Sequence, residues 1–319
     1  MVSEIGLGLA AIGRPGYITL GRDRDLGLER GEEGMRRRAH ALLDAARALG
    51  IVYFDAARSY GRAEEFLASW LDKRGLGRDD VVVGSKWGYR YTAGWQVGAE
   101  VNEIKDHSAA SFRRQIGETT ALLGDRLRLY QIHSATLESG VLDDAAVIAA
   151  LGSLRDSGVA VGLSVSGPRQ AGTVRKALAV RRNGGCLFQT VQATWNLLEP
   201  SVARALEEAR DAGLGVIVKE ALANGRLVDR GEGSEPAAPR PLLQVAARLG
   251  ATADVVAIAA ALAQPWRSVV LSGAVTPAQL AANVSASALR LTPGDLAELG
   301  TVAEPPERYW ATRAALPWS

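Results

Sequence analysis

Cysteine occurs once in the 319 residues, at Cys186, which excludes an intramolecular disulfide and any metal centre built on clustered cysteines. Histidine occurs three times, at His40, His107 and His133, far apart and without HxxxH or similar ligand spacing, so a metal-dependent enzyme is disfavoured. Charge of neither sign dominates: 37 Lys and Arg against 35 Asp and Glu leave +2, with the basic residues spread through helical segments. No basic stripe interleaves with aromatics, which argues against a nucleic-acid partner. No apolar run approaches the roughly 18 residues of a spanning helix; Val255 to Ala263 stops at Gln264-Pro265. The apolar start, Ile5 to Ile12, carries Glu4 and no basic segment before it, and reads as a first strand and turn instead of a signal peptide. A cytoplasmic chain with no membrane partner is the expectation. A Gly-x-Gly-x-x-Gly turn is also missing, since Gly6, Gly8 and Gly13 do not fit, which weakens the case for a doubly wound open sheet.

What is present is an ordinary globular composition, 47% apolar and 23% charged, in a chain long enough to bury a large core. Strand-like runs alternate with amphipathic helices, and no linker divides them. The runs are 5–12, the stretch from Ile51, 81–84, 127–132, Val159 to Leu163, Leu187 to Gln192, Gly215 to Val218, and Ser268 to Leu271. Helical faces lie between them, such as Ala63, Phe66, Leu67, Trp70 and Leu71, which stop near Gly75. Asp106-His107-Ser108 reads as a helix start with His107 in its first turn, and Thr276-Pro277 as an N-cap and N1 pair. Loop 87–105 is rich in Trp, Tyr and Gly, loop 229–240 reads as a surface excursion, and the chain ends in an extra helix near 293–300 and an irregular tail. Eight strands with helices between them predict one (β/α)8 TIM barrel over residues 1–319.

Three consecutive strand runs each deliver a titratable side chain at the carboxyl end: Asp55 after Ile51-Val52-Tyr53-Phe54, Lys86 after Val81 to Ser85, and His133 after Leu127 to Ile132. In a parallel α/β fold that end is where sites are built. Only five of the 37 basic residues are lysines, which makes Lys86 at a strand end conspicuous. Tyr60 follows Asp55 by five residues, in the next loop. An acid, a phenol, an amine and an imidazole at one rim are the parts of a proton-transfer site.

Asp55, Tyr60, Lys86 and His133 together resemble the catalytic tetrad of the aldo-keto reductases. The resemblance is carried by Phe54-Asp55-Ala56-Ala57 with Tyr60-Gly61 and Glu64, by Ser85-Lys86-Trp87-Gly88, and by Leu129-Tyr130-Gln131-Ile132-His133. Gly162-Leu163-Ser164, Gln192 to Leu197, and Gly273-Ala274 leading to Gln279 and Asn283 extend it over nearly the whole chain. The phrase 222–226, Leu-Ala-Asn-Gly-Arg, is similar to the bacterial branch, on the potassium-channel β-subunit side of the family.

The resemblance implies reduction of an aldehyde or ketone, with Tyr60 as proton donor. Lys86 would pull the phenol pKa down, Asp55 would hold Lys86 charged, and His133 would bond the substrate oxygen. It implies NADPH lying across the barrel mouth, with Ser164 and Gln192 at the nicotinamide carboxamide, Asn283 near the adenine and Thr276 at a helix N-terminus beside the adenosine phosphate. Leu222, Asn224, Arg226, Gly273 and Gln279 complete the expected cofactor contacts. Three departures stand out: Val165 replaces an asparagine, Lys219 replaces a ring that stacks on the nicotinamide, and Gly273 and Gln279 replace a lysine and an arginine at the 2′-phosphate. NADH is therefore not excluded, with Arg226 or Arg267 as substitute phosphate partners. Substrate walls are expected from Trp87, Tyr89 and Trp95, from Trp195, and from Trp310 with Tyr309 and Trp318 in the tail, framing an apolar or ring-bearing carbonyl compound. The rival readings are oxidation of a sugar or secondary alcohol by the same residues, and a weakly active nucleotide-bound sensor or scaffold. Oligomeric state has no sequence signature here.

Overall fold

Eight short apolar runs pair edge to edge and in parallel until the last meets the first. The structure is a computed structural model that describes residues 2–230 and 238–318. The strands are β1 Ile5–Gly8, β2 Tyr53–Asp55, β3 Val82–Trp87, β4 Leu127–Ala135, β5 Ala160–Val165, β6 Thr190–Thr194, β7 Gly215–Lys219 and β8 Val269–Ser272. They form a closed barrel in sequence order, with Ile5 opposite Val270 at the closure. Helices separate the strands, beginning with Glu32–Ala48, Ala63–Arg74 and Ala109–Leu123. Gly75 ends the second of these in the left-handed region (φ 62°), where the sequence places a stop. Arg240–Leu249 and Ala253–Leu262 meet at 91°, and among the described residues no single helix is long and apolar enough to cross a membrane.

The core has two compartments. Most apolar side chains, Phe54, Trp70, Leu163 and Val191 among them, lie between the strands and the helical ring. A smaller cluster of Tyr53, Leu129, Ile217, Val269 and Leu271 fills the barrel interior. Alternation along each strand explains the division. Tyr53 and Asp55 share the interior face of β2, while Phe54 between them meets the Trp70 ring outside. On β3 the same parity puts Lys86 inside. Ser85 outside donates to Glu64 Oε1 at 2.5 Å, and Trp87 packs its ring on Phe112.

Four expectations change. Loop 87–105 contains an antiparallel hairpin, Tyr89–Tyr91 with Glu103–Lys105. The sixth strand starts at Thr190: Leu187 and Phe188 are buried before it, and the Leu187 amide donates to Val180 O instead of to the barrel. His107 precedes the helix, whose N-cap is Ser108, so it is not a first-turn residue. The tail is not irregular but helical over Pro306–Ala314, with Pro306 at N1 and Tyr309 and Trp310 buried. The expected excursion at 229–240 lies largely outside the described residues.

Candidate active site

Asp55 is the hub of the barrel's upper layer. Its Oδ2 pairs with Lys86 Nζ at 2.5 Å, and its Oδ1 accepts from the Tyr53 hydroxyl at 3.1 Å and from Gln192 Nε2 at 3.0 Å. Lys86 also donates to Ala56 O at 2.9 Å, so the ammonium is fully enclosed and partnered. It lies 4.8 Å from the centre of the Tyr60 ring. The Tyr60 hydroxyl is 3.5 Å from His133 Nε2, and His133 Nδ1 is 3.3 Å from Ser59 Oγ. Four side chains from β2, its following loop, β3 and β4 thus converge at one rim.

The loop carrying Tyr60 is clamped by glycine. Gly61 has φ 59°, and a Cβ there would fall 2.5 Å from Gly13 O; a side chain would push this loop off the first loop. Gly88 has φ 108° with the His107 ring directly above it. His107 Nε2 meets His133 O at 2.8 Å, and Ser134, the next residue, holds φ 51° with its amide on Ser164 Oγ at 2.8 Å. A non-glycine residue in that region is uncommon and here directly follows a site residue.

Burial raises the Tyr60 phenol well above its ordinary value, and the Asp55 charge adds to the rise; Arg14 is the cation opposing it. Lys86, paired with Asp55 at 2.5 Å, is not among the groups that oppose the rise. Burial lowers His133 far below the usual range, helped by Lys86, Arg14 and Lys219, so the imidazole is neutral.

A cavity of about 610 Å³ opens over this rim. Asp55, Tyr60, Tyr89 and His133 line one end, and Gly273, Gln279 and Asn283 the other. Gln192, Lys219, Leu222 and Asn224 line it between, and Trp318 closes over the reactive end. Asn283 Nδ2 is bonded to Ser272 Oγ (2.7 Å), and Gln279 Nε2 to Asp25 Oδ2 (2.7 Å). Asn224 stands at φ 55°, 7% exposed, with its carbonyl oxygen unpartnered. Gln192, Lys219, Gln279 and Asn283 line the cavity together with Arg24 and Arg230, a donor set that fits the amide, hydroxyl and phosphate groups of a dinucleotide.

Other expected residues lie elsewhere. Trp87 and Trp195 follow inward-facing Lys86 and Thr194, and the pleat turns both out of the cavity; Trp195 packs on Trp266 instead. Trp95 donates to Arg30 O and packs on Phe66, and Trp310 lies behind Lys219 and Arg313. None of the four lines the cavity. Ser164 holds the Ser134 amide, and Thr276 caps the Gln279 amide. Arg226 is paired with Glu304 and Arg267 with Glu4, so neither reaches the cavity; Arg24 and Arg230 line its far end instead.

The sequence reading missed the charged frame around Tyr60. Arg14, 2% exposed, donates to Ser59 O (2.9 Å) and to Glu103 Oε1 (2.7 Å), with its guanidinium 5.3 Å from the Tyr60 ring centre. Arg22 staples the first loop by donating to Ala11 O (2.7 Å) and Pro15 O (2.8 Å), and burial lowers it to about 9. Glu220, at φ 57°, binds Arg313 Nε at 2.8 Å. Its carboxyl is held at about 2 because Arg313 and Lys219 outweigh the effect of burial.

The family model described as Aldo/keto reductase family matches residues 4–304. The chain is 26% identical to aldo-keto reductase str7 of Strobilurus tenacellus, over 96% of this chain and 90% of that one. Among solved structures it is similar to aldo-keto reductase AKR11C1 of Bacillus halodurans in its holo form, at a TM-score of 0.68 and 24% identity, covering 95% of this chain and 93% of that chain. PA4992 of Pseudomonas aeruginosa gives a TM-score of 0.63 at 28% identity, covering 90% of each.

Proposed function

From the premise that this chain belongs to the aldo/keto reductase family, whose members are oxidoreductases acting on carbonyls and alcohols, we propose that it reduces an aldehyde or ketone with Tyr60 as the proton donor. The observation that carries the reading is the Tyr60 hydroxyl beside His133 Nε2 at one end of a long cavity, above the Asp55–Lys86 pair. A nicotinamide cofactor, NADPH or NADH, supplies the hydride when bound. Gln192, Lys219, Leu222, Asn224, Gly273, Gln279 and Asn283 would hold it.

The side chains divide the remaining work. With Ser59 Oγ–H as donor to His133 Nδ1, 3.3 Å away, the neutral imidazole would carry its proton on Nε2, facing the substrate oxygen. Tyr60, kept protonated by its raised pKa, delivers its proton to the same oxygen. Asp55 and Lys86 fix the floor on which the phenol sits, and Tyr89, 5.1 Å from His133 ring to ring, forms a wall. Alcohol oxidation, the reverse reaction, would need Tyr60 as a base. Tyr60→Phe should lower kcat by at least 100-fold while leaving NADPH affinity within threefold; retained turnover would remove Tyr60 from the mechanism. Initial rates with an aromatic aldehyde and with its alcohol, at equal cofactor concentrations, test the direction.

A further inference from the structure

Among the described cations at the reactive end of the cavity, three are closely paired with carboxylates. Lys86 is bound to Asp55, Arg14 to Glu103 and Arg313 to Glu220. Lys219, at the carboxyl end of β7 and 15% exposed, makes its hydrogen bond to a neutral group, Thr194 Oγ1, at 2.6 Å. Glu220 Oε1 is 4.0 Å from its ammonium, but that carboxylate is already gripped by the Arg313 guanidinium. Lys219 thus brings to the cavity lining a positive charge that no carboxylate grips closely, while Lys105 bonds Ser134 O without lining the cavity. It lines the cavity with Tyr60 and His133, close enough for its field to act on His133.

This inference rests on the nicotinamide reading above. Hydride transfer brings the nicotinamide within about 3–3.5 Å of a carbonyl carbon whose oxygen meets Tyr60 and His133, so the ring shares the chamber with Lys219. The oxidised ring carries a positive charge and the reduced ring none, while the rest of the dinucleotide is unchanged. We propose that Lys219 makes the site discriminate between the two redox states, holding the reduced cofactor more tightly than the oxidised one. Two like unit charges sharing a half-buried chamber would repel enough, after screening, for roughly a tenfold difference in affinity. The consequence is rapid loss of the oxidised cofactor after turnover, with no need for a moving loop to expel it.

The test measures dissociation constants for NADPH and NADP⁺, and for the NADH/NAD⁺ pair, by fluorescence titration and competition with wild type, Lys219→Met and Lys219→Arg. The ratio of oxidised to reduced Kd should fall about tenfold in Lys219→Met and be retained in Lys219→Arg. A general distortion of the pocket moves both constants together and leaves the ratio alone. A ratio in Lys219→Met within twofold of wild type overturns the inference. Should that variant not fold, Lys219→Gln carries the same comparison. Burial lowers Lys219 to about 8, in the field of Glu220, Arg313, Lys86 and Asp55 and against the Trp310 ring, so the wild-type ratio should also decline as pH rises above 7. If wild type binds none of the four nucleotides, it is the cofactor reading that has failed.

Discussion

Replacing Asp55 by Asn removes one charge from an enclosed ion pair and leaves the shape unchanged. The Asp55 and Lys86 side chains are 3% and 0% exposed, so solvent cannot compensate whichever charge remains. The substituted asparagine could still accept from Tyr53 and Gln192 through Oδ1, but its amide N–H would face the Lys86 ammonium, donor against donor. Breaking a buried pair by removing one partner costs about 3–5 kcal/mol, because the surviving charge is left uncompensated. Lys86→Met should cost a similar amount for the mirror-image reason. The double variant, Asp55→Asn with Lys86→Met, leaves no buried charge. It should cost about 1–3 kcal/mol, far below the sum of the singles, for a coupling of about 3 kcal/mol or more. Urea unfolding of the four proteins at pH 7.5, fitted with a shared slope, measures this, and reductase turnover should be lost in all three variants. Single-variant costs that simply add would refute the view of the pair as one electrostatic unit.

Three further outcomes follow from the same geometry. His133 is held well below its ordinary value and His107 at about 4, so below pH 6.5 the unfolded chain binds protons that the folded chain refuses. Stability should therefore fall as pH drops from about 6.5 toward 4, by up to about 1.4 kcal/mol per pH unit for each histidine; His107→Gln should flatten the slope of the urea midpoint against pH, and an unchanged slope would contradict the assignment. Gly88→Ala forces a Cβ into the His107 ring, which supports His133 through its carbonyl. It should lower kcat about tenfold or more with little change in cofactor Kd, whereas equal losses in both would point to general collapse. Arg313→Met strands Glu220 and unties helix Pro306–Ala314 from the barrel, which should speed proteolysis of the C-terminal helix and cost about 3 kcal/mol in urea unfolding; unaltered protease resistance would show that Asn196–Tyr309 and Arg226–Glu304 suffice to hold the helix.

Short-range periodicity carried the barrel, because a strand buried on both faces shows as an apolar run and a strand end as the titratable residue that follows it. Asp55, Lys86 and His133 were legible for that reason. The departures share a cause: neighbours in sequence need not be neighbours in the pocket. Trp87 adjoins Lys86, and the pleat that turns Lys86 inward turns Trp87 out against Phe112. Ser164 stands at the expected strand end, but its hydroxyl is taken by the Ser134 amide. Arg226 lies in the expected loop, but Glu304 claims it. Helix Pro306–Ala314 was missed although Pro305-Pro306 followed by Tyr309-Trp310 carries both a start signal and an apolar pair. The Arg14–Glu103 and Glu220–Arg313 pairs span 89 and 93 residues and leave no local trace in the chain.

Those long-range pairs alter the electrostatic account of the phenol. A cation beside a tyrosine lowers its pKa only while its charge is not cancelled nearby. Lys86 fails that condition, with Asp55 at 2.5 Å, and Asp55 itself raises Tyr60. Arg14 opposes the rise, yet it is paired with Glu103, which adds to it. The floor and frame of the site are thus close to neutral, and burial decides the outcome, keeping the proton on Tyr60. A raised pKa keeps the phenol protonated but makes it a weaker donor, so its proton would pass only as negative charge builds on the substrate oxygen that His133 also bonds. The loosely paired charge on Lys219 stands at the chamber wall instead of under the phenol, where it would bear on whichever ring occupies the cavity. The proton-transfer and cofactor ends of the reaction are in this way served by separate charges, so Asp55 or Lys86 variants should disturb the first and Lys219 variants the second.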